Sequence, residues 1–133
     1  MLNEIFDKVY LINLASATDR LSAATINCAK VNGLTTLNII KDAKEKGYKN
    51  IFIMEDDVDF IKFNFETILT KAISGLPKDW DFFHLNATPE HPSKWVSTCL
   101  IRLGGAWCCQ AYGINSTMYD KYITELSKFE MPI

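Results

Sequence analysis

No run of apolar residues in this sequence approaches the roughly 18 that a helix needs to cross a bilayer, and the opening MLNEIFDK lacks the basic-then-apolar order of a secretion signal. The expectation is a cytoplasmic protein without a transmembrane segment, with peripheral association with a membrane left open. A large charge of one sign is also missing. Fourteen Lys and Arg stand against 16 Asp and Glu, a net charge of -2, so there is no general attraction for nucleic acid. CxxC spacing is absent as well: Cys28, Cys99, Cys108 and Cys109 suggest neither a zinc site nor a redox pair, and read as buried free thiols. Adjacent Cys108 and Cys109 would point to opposite faces of a strand. Pro-rich and Ser-rich stretches, internal repeats and linkers are all lacking, so 133 residues imply one packed domain spanning 1–133.

What is there is alternation. Residues 9–14 form a short β-rich apolar run, and the Ser, Thr and Asp that follow read as the start of a helix. Residues 18 to about 31 are weakly helical. A clearer helix after Asn32 and Gly33 carries Leu34, Leu37, Ile40 and Ala43 on one face, and Gly47 ends it. Residues 50–54 are uninterruptedly apolar, which suits a parallel strand covered on both faces. A helix with Phe65, Ile68, Leu69 and Ala72 on its apolar face follows, stopped by Gly75 and Pro77, and residues 81–85 read as a strand. Residues 88–95 read as a loop. Residues 96–102 and 107–114 read as strands around Gly104 and Gly105, where a hairpin is possible. Met118, Tyr122, Leu126 and Phe129 recur at helical spacing behind the capping residues Asn115 and Ser116. Strand-helix alternation predicts an α/β domain with a mostly parallel sheet, whose ligands bind beyond the carboxyl ends of the strands.

That rule points to Glu55-Asp56-Asp57-Val58-Asp59. Four carboxylates in five positions follow a buried strand, and alternate residues of an extended chain share a face, so Glu55 with Asp57, or Asp57 with Asp59, could converge on one hard cation such as Mg²⁺ or Mn²⁺. The plainer reading is that these acids solvate the end of a strand.

Three segments together resemble the family 25 glycosyltransferases, the lipopolysaccharide and procollagen sugar transferases. VYLINLASATDR is similar to their opening strand and Asn-Leu...Asp-Arg signature. LTTLNIIKDAKEKGYKNIFIMEDDV resembles their central helix, strand and EDD motif. DWDFFHLNA and GAWCCQAYGINSTMYDKYITEL are similar to a following strand and a late aromatic strand leading into a helix. The resemblance implies a GT-A-like (Rossmann-like) three-layer domain and inverting, metal-assisted transfer of a hexose, often galactose. The donor would be a UDP-sugar and the acceptor a glycan such as lipopolysaccharide. It further implies Mn²⁺ or Mg²⁺ held by Glu55 and Asp57, and a nucleotide-sugar contacted by Asp56, Asn13, Asp19 and Arg20. Asp59 and Glu90 are the candidates for a base that deprotonates the acceptor hydroxyl. Thr36 and Gln110 stand where the family carries histidines, and the stretch before the central helix is shorter than the family's. A non-catalytic binding module is therefore the alternative expectation. A receiver domain fits less well, because its acidic pair should precede a second strand bearing a phosphoacceptor.

Outside the cluster, His84 reads as a structural histidine on a strand. His91 and Trp95 lie in the Pro-flanked loop, where the indole could stack on a sugar face. Arg102 beside the glycines could contact phosphate or simply belong to a hairpin. Lys41, Lys44, Lys46 and Lys49, interleaved with Asp42 and Glu45, read as a solvated helix face.

Overall fold

The structure is a computed structural model that describes residues 2–13, 29–32, 36–60, 63–107 and 110–128. In chain order the first elements are α1 (Leu2–Ile5), β1 (Lys8–Asn13), β2 (Ala29–Asn32), α2 (Thr36–Glu45), β3 (Asn50–Glu55), α3 (Phe65–Ser74) and β4 (Phe82–His84). An arm follows, with β5 (Thr88–Pro89), β6 (Lys94–Trp95), β7 (Ile101–Arg102) and β8 (Ala106–Trp107), and then β9 (Ala111–Asn115) and α4 (Tyr119–Ser127).

The unbroken apolar run of β3 is explained by the two clusters it joins. Successive strand side chains point to opposite faces. Ile51 and Ile53 enter a cluster with Tyr10, Ile39, Ile40, Ala43, Ile114 and Tyr119, which brings in α2 and α4. Phe52 and Met54 enter another with Phe6, Val9, Leu11, Leu69, Ala72 and Phe83, which brings in α3. The sheet order is β2-β1-β3-β9-β4, with β1 parallel to both β2 and β3. β9 is antiparallel to its neighbours, from Asn50 opposite Asn115 to Met54 opposite Ala111, and from Phe82 opposite Ile114 to His84 opposite Tyr112.

A mostly parallel sheet was the expectation; the described sheet is mixed, with β9 running against the other four strands. The arm leaves the carboxyl end of β4 and delivers the chain back to that same end, so the strand it feeds must run the other way. Antiparallel neighbours need no helical crossover. The helical expectation also fails at 29–31, which belong to β2, where the ladder with β1 supplies hydrogen bonds that an isolated helical turn cannot. The rest of that expected helix, with Leu34, Cys108, Cys109 and Phe129, lies outside the described residues.

α2 buries Leu37, Ile39, Ile40 and Ala43, and Gly47, at φ 71°, ends its last turn. In α3 the expected face is only partly realised. Leu69 and Ala72 are buried, whereas Ile68 is 52% exposed. Asn115 caps the 3₁₀ turn at Ser116–Met118 by accepting the Thr117 N–H at 3.3 Å, and an ion pair between Lys44 and Asp120 links α2 to α4 at the surface. The arm corrects two expectations. Residues 88–95 contain β5 and β6, and Gly104-Gly105 joins two strands that do not pair with each other. Instead β5 pairs with β8 and β6 with β7, one short ladder nested outside the other, with the inner reversal closed by Val96 N–H donating to the Leu100 carbonyl at 2.9 Å. Cys99, expected to be buried, is a half-buried free thiol.

Two buried phenols differ in their partners. Tyr10 donates to Asp42 Oδ2 at 2.5 Å, and Lys46 holds the same carboxylate at 2.8 Å. The Tyr119 hydroxyl is buried with no hydrogen-bond partner among the described residues. Tyr10→Phe is therefore expected to cost about 1 kcal/mol, and Tyr119→Phe to be neutral or to stabilise by up to about 1 kcal/mol, as measured by thermal melts. Burial holds both phenols protonated above their ordinary range, with the Asp42 bond adding to the effect at Tyr10 and the Asp7 charge at Tyr119. Unfolded tyrosines ionise near pH 10, so this part of the stability is intact below about pH 10 and declines as pH rises above it. Removing both hydroxyls should flatten that decline.

Candidate functional site

β3 ends on Glu55; β1 ends at the same level, and antiparallel β9 begins there. Ile12 of β1 lies opposite Glu55, Asn13 is the next residue, and Asn13 lies opposite Asn32 of β2. On the other side the Glu55 N–H donates to the Gln110 carbonyl at 2.8 Å. The Asn86 side-chain amide donates to Gln110 Oε1 at 3.3 Å, just past the end of β4. The carboxyl edge of the sheet is thus a row of polar positions, Asn32, Asn13, Glu55, Gln110 and Asn86, each contributed by a different strand or its flank. For Asn32 and Asn13 the register is described.

The chain turns at once after Glu55, with the Val58 N–H closing on the Glu55 carbonyl at 3.4 Å. The common strand face expected for Glu55, Asp57 and Asp59 is therefore absent, because Asp56 and Asp57 lie in the turn. The turn itself couples the carboxylates. Burial raises the Glu55 pKa, and the charges of Asp57 and then Asp56 raise it further, so Asp57 acts on Glu55 more strongly than the adjacent Asp56 does. Glu55 and Asp56 are half-buried; Asp57 and Asp59 are exposed. Like charges held together at a strand end are the condition that a divalent cation relieves. Among the described residues, no three His, Cys, Asp or Glu side chains form a complete ligand group. A cation at this edge would rest on one or two carboxylates, with the remaining oxygens supplied by a bound ligand or by water, an arrangement that suits Mg²⁺.

Beside this edge opens a cleft of about 960 Å³, walled by α3, β4 and the arm. Phe82, His84, Tyr112 and Tyr122 line one part, Leu69 and Leu100 another, and Asn86 and Arg102 are among the polar groups. Asn86 lines the cleft and bonds to Gln110, and so connects the cleft to the acidic edge. Glu90 is exposed on the arm, where its N–H donates to the Gly105 carbonyl at 3.0 Å, and it does not line the cleft. His91 and Trp95 are exposed on the same arm. Asp19 and Arg20 lie outside the described residues. Asn86 was missed from the sequence, and only its position just after a short strand could have marked it. Among the described residues, no helix is long and apolar enough to cross a membrane.

No protein-family model matches the chain, and neither a curated protein nor a solved structure matches it.

Proposed function

We propose that this chain transfers a hexose from a UDP-sugar to a glycan acceptor, as an inverting, metal-assisted glycosyltransferase with a GT-A-like arrangement. The observation that carries the reading is the set of mutually repelling carboxylates at the carboxyl end of the central strand. Burial raises the Glu55 pKa, and the neighbouring charges of Asp57 and Asp56 add to the rise. The family 25 resemblance supports it, as do the clusters that bring helices to both faces of the sheet.

In this reading Glu55 and Asp57 hold Mn²⁺ or Mg²⁺, and Asp56, Asn13, Asp19 and Arg20 contact the donor. The cation supplies neutralisation of the charge that develops on the departing diphosphate. Arg20 adds a fixed positive charge to the same end of the donor. The acceptor oxygen forms a bond to the anomeric carbon as the bond to UDP breaks, and the hydroxyl proton passes to a carboxylate, for which Asp59 follows the acidic turn while Glu90, the other candidate, lies on the arm outside the cleft. A non-catalytic binding module is the second reading, favoured by Gln110, whose amide is engaged with Asn86 where the resemblance expects a histidine.

Calorimetric titration of UDP with Mn²⁺ into the intact chain tests the proposal. Binding should require the metal, and Asp57→Asn should weaken it at least about tenfold, the scale of a lost charge-assisted contact. Glu55→Gln should also weaken binding, yet hold or raise the melting temperature at pH 7. With the Glu55 pKa raised in the fold, its ionisation is a net cost there that grows as pH rises through that pKa. Absence of UDP binding at any metal concentration would overturn the transferase reading.

A further inference from the structure

The cleft contains a histidine whose surroundings fix its role. His84 stacks on Tyr112, with centroids 5.8 Å apart and planes at 21°, and on Phe82 at 6.1 Å and 25°. Tyr122 meets Phe82 edge-on at 5.3 Å, which extends the aromatic row. All four rings line the cleft. Burial lowers the His84 pKa, so the ring is neutral at pH 7 and carries one hydrogen. Nδ1 is buried and has no hydrogen-bond partner among the described residues. An N–H there would be a stranded donor, which folded proteins avoid more strictly than an under-used acceptor. The hydrogen therefore belongs on Nε2, the other nitrogen of a ring that lines the cleft.

We infer that the cleft is a saccharide site, in which the flat C–H face of a pyranose packs on the partly exposed rings of Phe82 and Tyr122 while His84 Nε2–H donates to one of its oxygens. The cleft runs round the short edge strand β4, with Phe82, Tyr112 and Tyr122 on the face covered by α4 and Leu69 and Leu100 on the face covered by α3. The remaining polar groups fit a polyol: Asn86 both donates and accepts, Arg102 donates and Asp81 accepts, and all three line the same cleft. The role of acceptor site rests on the transferase reading, and it follows from the Asn86–Gln110 bond that joins the cleft to the acidic edge. Saccharide binding itself does not depend on that reading.

The test is saturation-transfer NMR with methyl α- and β-pyranosides of glucose and galactose, run beside the UDP–Mn²⁺ titration. At least one glycoside should bind, with transfer concentrated on its ring C–H protons, and the His84 Nε2 resonance should move on its addition. His84→Phe, which keeps a stacking ring, should weaken binding about tenfold, as should removal of the exposed Arg102 head by Arg102→Ala. Glycoside binding without UDP binding would uphold the cleft and remove the transferase. UDP binding without any glycoside binding would do the reverse. Glycoside binding that neither variant weakens, or that leaves the His84 resonance unmoved, would overturn the site.

Discussion

Replacing Phe52 with alanine is expected to remove about 3–5 kcal/mol of stability, the usual cost of deleting a fully buried aromatic ring. Phe52 has no exposed surface and occupies the middle of the sheet, opposite Val9 on one side and Gly113 on the other. Its ring packs on Phe6 at 5.0 Å. Collapse into the space it leaves is hindered on the β9 side, where the facing residue has no side chain. Total stability for a domain of this size is about 5–15 kcal/mol, so the loss is between about a fifth and the whole of it. Urea unfolding of the wild type and the variant measures the loss. A loss below about 1 kcal/mol would contradict the packing described.

The second large effect comes from adding atoms. A Cβ at Gly113 would lie 2.7 Å from Phe6 Cε1 and 3.0 Å from Cζ. Phe6 is confined by Phe52 and by Trp80, whose ring meets it edge-on at 6.5 Å. Alanine normally stabilises a strand relative to glycine, by roughly 0.5–1 kcal/mol. Here the sign should reverse, with Gly113→Ala costing about 1–3 kcal/mol and Gly113→Val more. A smaller partner should restore room, so Phe6→Leu combined with Gly113→Ala should be less destabilised than the two separate losses added together. Additive losses would show that the ring is not the obstacle. Because β9 lies between β3 and β4, the strain in Gly113→Ala should also loosen the strands that carry Glu55 and His84.

The parts of this fold that can be read along the chain are those decided within one element. The 3.6-residue spacing of Leu37, Ile40 and Ala43 sets the buried face of α2, and Gly47 marks its end. The unbroken apolar run of β3 announces a strand with two covered faces. Direction and partnership are different matters. Nothing in Ala111–Asn115 distinguishes a strand that continues the sheet in parallel from one inserted in reverse between β3 and β4; that depends on the arm 88–107. The arm is itself misleading, because its glycines suggest a local hairpin while its strands pair with more distant partners. Ala29–Asn32 is too short to show a period, and its pairing with β1 decides its form.

The same division holds for the site. The acidic run is visible because it begins where β3 stops, although its geometry comes from a turn rather than from strand alternation. The meeting of Glu55, Gln110 and Asn86 depends on the register of three separated segments, which residue types do not reveal. His84 stands in the sequence as an ordinary strand histidine. Its significance depends on Tyr112, 28 positions away, and on the arm that closes the cleft.

β4 is the last strand of the described sheet on its side and only three residues long. A sheet edge invites another chain to extend it, and brevity is one of the ways folds resist this. The arm is anchored beside β4 by Leu100, which packs in the apolar cluster that includes Phe83. Loss of that anchor would leave the edge more open to strand-to-strand association, a cost in solubility.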